Sequence, residues 1–250
     1  MIDDKRLKDR VILVTGATGG LGQALSLAFA ESGATVVLHG RVVRKLEVLF
    51  DRIVQTRSPE PAILPLDFEK AGSDAYDTAA AALDAQLGRL DAIVHCAATL
   101  RRLAPIEYHT LEDWAAVLRV NLSAPAALTR SLLPALRRAP AGTVIFTLDS
   151  RGHEPAAYWG SYAAAKAGVE ALVKVLHDEW EASTLSACGI VPGPIDTPMR
   201  QRTHPGDDPE VRRSAAALVP YYVDLLRAGK SASGQIVVIG PEAAAATAGR

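Results

Sequence analysis

A tyrosine and a lysine stand four residues apart at Tyr162 and Lys166. On a helix that spacing places both side chains on one face, one turn from each other. An ammonium beside a phenol favours the phenolate and draws the phenol pKa down from its reference near 10. A phenol tuned in this way can give or take a proton close to neutral pH. A YxxxK pattern alone is common on helix surfaces, so its meaning depends on what else the chain carries. Asp149 and Ser150, just after the apolar run 143–148, add a carboxylate and a hydroxyl upstream of the pair.

The second chemical feature is Thr15-Gly16-Ala17-Thr18-Gly19-Gly20-Leu21-Gly22, between an apolar run and a helical pattern. Gly16 permits a tight turn, Gly20 lets backbone approach a pyrophosphate, and Gly22 lets the helix pack closely on its strand. Free N–H groups at the helix start face the phosphate charge. Thr18 and Leu21 belong to the same loop and are expected to contact the cofactor with it. About 20 residues on, an NAD site places an acidic side chain for the ribose hydroxyls. Here Leu38-His39-Gly40-Arg41 has no acid, and Arg41 offers a guanidinium suited to a 2′-phosphate. The expected cofactor is therefore NADP(H) in preference to NAD(H).

These groups need a scaffold. Apolar runs at 11–15, 35–38, 62–66, 92–96, 143–148, 185–191 and 235–239 read as strands. Between them lie helical patterns at 21–32, 44–56, 74–87, 111–138, 161–182 and 209–227. The strand runs are continuously apolar rather than alternating, as burial on both faces requires. Strand and helix in strict alternation predict an α/β fold, a Rossmann-type doubly wound parallel sheet of about seven strands with helices on both faces. No linker breaks the rhythm, so one domain is expected over 1–250, with a substrate flap near 197–215 and a loose tail at 241–250.

Composition narrows the partners. The 250 residues carry 27 basic and 28 acidic side chains for a net charge of −1, which argues against nucleic acid. No apolar run is long enough to span a bilayer, and the charged N-terminus lacks a secretory pattern, so a cytoplasmic location is expected. The two cysteines, Cys96 and Cys188, lie in strand-like runs and read as buried thiols rather than a disulfide; no metal site is expected.

With these motifs in order, the chain resembles the short-chain dehydrogenase/reductase family over nearly its whole length. The matching pieces are TGATGGLG at 15–22, Leu66-Asp67, Val120-Asn121-Leu122, YAAAK at 162–166 and Pro192-Gly193-Pro194-Ile195-Asp196-Thr197. IFTLDSRG at 145–152 and Tyr158-Trp159-Gly160-Ser161-Tyr162 are similar to the YciK-like oxidoreductases. The resemblance implies that Tyr162 exchanges a proton with a carbonyl or alcohol oxygen, and that Lys166 tunes it and holds the nicotinamide ribose. It implies that Asn121 positions a water behind Lys166, though the same residue could simply bond backbone in a bent helix. Asp67 and the backbone of Phe68 would meet the adenine. Ala97 would touch the cofactor through its backbone, and Pro192, Gly193, Ile195 and Thr197 would cover the nicotinamide. A homodimer or homotetramer packed through 111–138 and 161–182, and a small-molecule substrate, are implied likewise.

Two departures stand out. The family's serine lies thirteen residues before the tyrosine, where this chain has Asp149; Ser150, one step later, is expected to take the role. Asp149 facing the substrate instead would raise the Tyr162 pKa. The usual Asn-Asn-Ala-Gly is here His95-Cys96-Ala97-Ala98, so Ala98 must avoid a positive φ or be strained. His95 reads as a hydrogen-bond partner within the sheet. Arg101 and Arg102 are candidates for an acidic substrate group. The expected function is NADP(H)-dependent hydride transfer at a carbonyl or alcohol; the alternative is a non-catalytic NADP(H)-binding protein with a degenerate serine position.

Overall fold

Valine, isoleucine and leucine dominate the strand runs, and their branched side chains suit a pleated surface packed on both sides. The computed structural model describes residues 6–240. Its strands are β1 (Val11–Thr15), β2 (Thr35–Gly40), β3 (Ala62–Pro65), β4 (Ala92–His95), β5 (Thr143–Thr147), β6 (Ser186–Val191) and β7 (Ile236–Val238). They form one 7-stranded sheet in the order β3-β2-β1-β4-β5-β6-β7, and every pairing is parallel. Every residue of β4 and β6 is buried, as a sheet covered on both faces demands.

The helices are α1 (Gly20–Glu31), α2 (Val43–Gln55), α3 (Ser73–Leu87), α4 (Leu111–Leu118), α5 (Ala124–Arg137), α6 (Gly160–Glu179), α7 (Pro198–Thr203) and α8 (Val219–Ala228). Adjacent strand residues feed opposite cores. Ile12 and Val14 pack with Leu25 and Phe29 of α1, Leu46 of α2 and Tyr222 of α8. Leu13 packs on the other side, in the layer of Leu83 of α3, Leu132 of α5 and Val173 of α6. Among the described residues, no helix is long and apolar enough to cross a membrane.

The chain order reverses between β1 and β4. In an open parallel sheet this is where the loops at the carboxyl ends diverge and leave a crevice.

Two expectations about elements are corrected. The single helix expected over 111–138 is interrupted by a π-helical turn at Arg119–Ser123. Pro125 has no N–H and its ring crowds the carbonyl of Asn121, so the regular ladder cannot run through. Of the helix expected over 209–227, only Val219–Ala228 is α-helical; Pro209–Val211 and Ala215–Leu218 are 3-10 turns. The flap region contains α7, started by the Thr197 hydroxyl accepting from the Arg200 amide at 3.2 Å. The tail at 241–250 lies outside the described residues.

Candidate active site

The crevice at the chain reversal holds a cavity of about 530 Å³. One end is lined by Gly20, Arg41, Lys45 and Asp67, and the other by Asp149, Tyr162, Lys166 and His204. The glycine loop forms its floor. Gly16 has φ +66, and a Cβ there would stand 2.8 Å from the Ala97 Cα. Only glycine allows β1 and β4 to end this close together. The Thr15 hydroxyl completes the junction by accepting from the Cys96 and Ala97 amides at 3.0 and 3.1 Å. A Cβ at Gly20 would approach the Thr197 methyl to 2.9 Å. The start of α1 has no side-chain cap and no acidic residue, so its N–H groups are left for an anion. This cradle fits the pyrophosphate of a dinucleotide.

His39 organises the end of the cavity beside the glycine loop. Its Nδ1 accepts from the Gly16 amide at 3.3 Å, and its carbonyl accepts from the Ala17 amide at 2.9 Å. The ring stacks on Phe68 with centroids 4.1 Å apart. Burial lowers the His39 pKa from 6.5 to about 4, against opposing help from the Leu66 backbone and Asp67. Asp67 carries out a turn-forming task, its carboxylate accepting from the Glu69 amide at 3.1 Å. Arg41 and Lys45 are exposed cations on the same wall of the cavity.

At the other end, β5 and α6 bring the catalytic candidates together. Lys166 is 5% exposed and donates to the Thr147 carbonyl at 2.8 Å, with its ammonium 5.6 Å from the Tyr162 ring centre. The Thr147 hydroxyl bonds Tyr222 at 2.9 Å, so the end of β5 is held from two sides. The structure brings Asp149, not Ser150, to the tyrosine: the Tyr162 hydroxyl donates to Asp149 Oδ2 at 3.2 Å. Asp149 keeps extended geometry (φ −149, ψ 145) and caps a 3-10 turn that starts at Ser150. That turn changes the chain direction, so Ser150 lines the cavity without meeting the phenol.

The electrostatics differ from the expectation in the same way. The Tyr162 pKa is raised well above 10, first by burial and then by Asp149. Lys166 therefore does not bring the phenol down to neutrality here. Burial also lowers the Lys166 pKa, with Asp149 acting the other way. Asn121 lies in the π-helical turn with its side chain fully engaged. It donates to the Thr99 and Val117 carbonyls at 2.8 Å each and accepts from the Thr99 amide at 3.2 Å.

Comparison with known proteins gives this arrangement its relatives. The family model described as short chain dehydrogenase matches residues 10–208. The chain belongs to the short-chain dehydrogenase family. It is 35% identical over 220 residues to the uncharacterized oxidoreductase YciK of Escherichia coli strain K12, covering 88% of this chain and 87% of that protein. A short chain dehydrogenase from Shigella flexneri 2a strain 301, solved in complex with NADP, superposes with a TM-score of 0.90 at 32% identity, covering 94% and 98% of the two chains. A short chain dehydrogenase from Escherichia coli CFT073 in complex with NADPH gives 0.90 at 33% identity, with the same coverage.

Against that family pattern, the remaining positions sort themselves. Ala98 has no positive φ, so loss of the glycine there brings no backbone strain. His95 bonds the Thr129 hydroxyl at 2.9 Å and stacks on Phe146, and burial lowers its pKa to about 3. Cys96 and Cys188 are free thiols, both pushed up to about 12 by burial. Arg101 is taken by Glu69 and by Asp113 at 3.5 Å, and Arg102 donates to the Tyr108 carbonyl; neither arginine lines the cavity.

Sequence reasoning overlooked the residues that hold the far wall. Arg213 donates to the Pro192 and Ile239 carbonyls at 3.1 and 3.0 Å and to that of Gly240. Its backbone pairs with Pro194 and Asp196, both at 2.9 Å. Arg200 is paired with Asp207 through Nε at 2.6 Å. Trp159 packs 5.6 Å from both Tyr162 and His204, with the Arg151 guanidinium 5.4 Å from its ring centre. Nothing periodic marks Arg213, because its partners come from distant segments.

Proposed function

We propose that this protein is an NADP(H)-dependent oxidoreductase that interconverts a carbonyl and an alcohol, with Tyr162 as the proton-transferring group. The observation that carries the reading is the placement of Tyr162 and Lys166 at one end of the cavity whose other end is the glycine cradle. NADPH, when bound, supplies the hydride. The cradle of Gly16, Gly20 and the α1 N-terminus holds the pyrophosphate, and Arg41 with Lys45 holds the 2′-phosphate. The relatives solved with NADP and NADPH support that choice of cofactor. Asp67, Phe68 and Ala97 line the adenosine and central walls, and Pro192, Gly193, Ile195 and Thr197 the nicotinamide side.

A Tyr162 hydroxyl whose pKa stands above 10 keeps its proton through neutral pH. It is therefore set to donate to an oxygen that gains charge, as the carbonyl oxygen does when hydride reaches its carbon. Lys166 fixes the local field and the end of β5. Asn121 stabilises the π-helical turn and the Thr99 backbone beside the cavity. Ser150 borders the substrate from the 3-10 turn. The family's homodimer or homotetramer is proposed for this chain too; Leu111 at 82% and Val175 at 48% exposure on the helices concerned support it.

Turnover of a carbonyl panel with NADPH, followed at the nicotinamide absorbance, tests the reading. Tyr162→Phe is expected to lower kcat by a factor on the order of 10² or more with NADPH affinity kept. Tight NADPH binding with no turnover on any member would instead mark a cofactor-binding protein without catalysis.

A further inference from the structure

The group beside Tyr162 has the wrong polarity for a bare carbonyl. A hydroxyl there would donate to the substrate oxygen, whereas a carboxylate can only accept. Both Asp149 oxygens already accept, Oδ2 from Tyr162 at 3.2 Å and Oδ1 from the Arg151 amide at 3.0 Å. No ion pair to Asp149 occurs among the described residues, although cations surround it. Lys166 donates to the Thr147 carbonyl, Arg200 is paired with Asp207, and Arg151 lies over Trp159 and donates to the Glu154 carbonyl. His204 sits on Trp159, and burial and Arg200 lower its pKa, so it adds no positive charge at neutral pH. A partly buried carboxylate thus lines the cavity beside Tyr162 with no ion pair at contact distance, although Lys166 lies near enough to feel its charge.

We infer that the substrate carries a protonated amine on the carbon next to the reacting carbinol or carbonyl carbon, and that Asp149 receives it. The inference rests on the proposed NADP(H)-linked reaction and narrows its substrate class to vicinal amino alcohols and amino ketones. Two heteroatoms on neighbouring carbons in a gauche arrangement stand about one hydrogen-bond length apart. That matches the 3.2 Å between the Tyr162 hydroxyl and Asp149 Oδ2, so oxygen and nitrogen can meet the two groups together. The ammonium also offsets the charge that strengthens the hold of Tyr162 on its proton. A fitting substrate therefore completes the site electrostatically, while a neutral one leaves it hindered. Asp149 is in this sense the specificity-determining residue of the pocket.

Calorimetric titration tests this without needing turnover. The probes are matched pairs: 1-amino-2-propanol with 1,2-propanediol, 2-amino-1-phenylethanol with 1-phenyl-1,2-ethanediol, and 2-aminocyclohexanol with 1,2-cyclohexanediol. They are added to the protein with and without NADPH. The amino member is expected to bind at least tenfold tighter, with the advantage fading as pH rises through the amine pKa. Asp149→Asn and Asp149→Ser are expected to abolish the advantage, with NADPH affinity read in the same instrument. Equal affinities within the pairs, failure of every amine to bind, or an advantage that survives both substitutions overturns the inference. Failure of NADPH to bind, or of every carbonyl in the panel to oxidise it, refutes the proposed reaction instead and leaves the pair ratio standing as a separate result.

Discussion

Mild acid should weaken this fold through two histidines that the sheet buries as neutral rings. His39 and His95 are 3% and 4% exposed, and burial lowers their pKa values from 6.5 to about 4 and about 3. Both folded values lie below the ordinary one, so at pH 5 the unfolded chain binds protons that the folded protein refuses. Stability present at neutral pH is therefore lost as pH falls from 6.5 toward each folded value, and levels off below it. Linkage gives a loss of about 2 kcal/mol from each ring between pH 8 and pH 5, about 4 kcal/mol together. This is a large share of the roughly 5–15 kcal/mol of an ordinary domain. Urea melts at pH 8 and pH 5, for the protein and for His95→Gln, read the effect at constant m. The amide can still bond Thr129 but does not titrate, so His95→Gln should roughly halve the acid loss attributable to the two rings. Comparing the variant with its parent at each pH cancels titrating groups that do not interact with His95, His39 being the coupled neighbour. Parallel pH dependence in the two proteins would refute the assignment of buried neutral rings.

Three further outcomes follow from the geometry. Arg41→Ala should weaken NADPH by about 10–100-fold, the worth of a charge-assisted phosphate contact, while NADH affinity stays within a factor of a few; equal losses for both cofactors in a fluorescence titration would count against the 2′-phosphate role. Arg213→Met should cost about 2–3 kcal/mol in a urea melt and raise KM for NADPH, because carbonyls of Pro192, Ile239 and Gly240 lose their shared donor; an unchanged melt would show that water replaces it. Tyr158 is exposed with φ 76, so Tyr158→Gly should raise stability by about 0.5–1 kcal/mol, measured as a shift in Tm; a fall would mean that its exposed ring packs more than its position suggests.

Features whose meaning lies in residue type and short spacing could be read from the sequence. The glycines of 16–22 are demanded by contacts that a Cβ would block, and the Tyr162–Lys166 spacing follows from the helical repeat. The continuous apolar runs gave away a sheet covered on both faces. The choice between Asp149 and Ser150 was not legible, because it depends on where β5 ends and the 3-10 turn takes over. An apolar pattern also cannot show that Pro125 and Asn121 open a π-helical turn in the middle of 111–138. His39 and Arg213 were missed since each acts on segments far away in sequence: Phe68 and the glycine loop for one, Pro192 and Ile239 for the other.

The position of β1 has a consequence for biosynthesis. This strand is made before β2 and β4, yet it ends in the middle of the sheet, with β2 on one side and β4 on the other. Its second edge stays bare until Ala92–His95 has been made, because Ile12–Thr15 pairs with that segment. The Gly16–Ala97 contact forms only at that moment, so a nascent chain cannot present a finished phosphate cradle before the second half of the sheet begins to dock. Cofactor capture is in this way tied to the chain having joined its two halves.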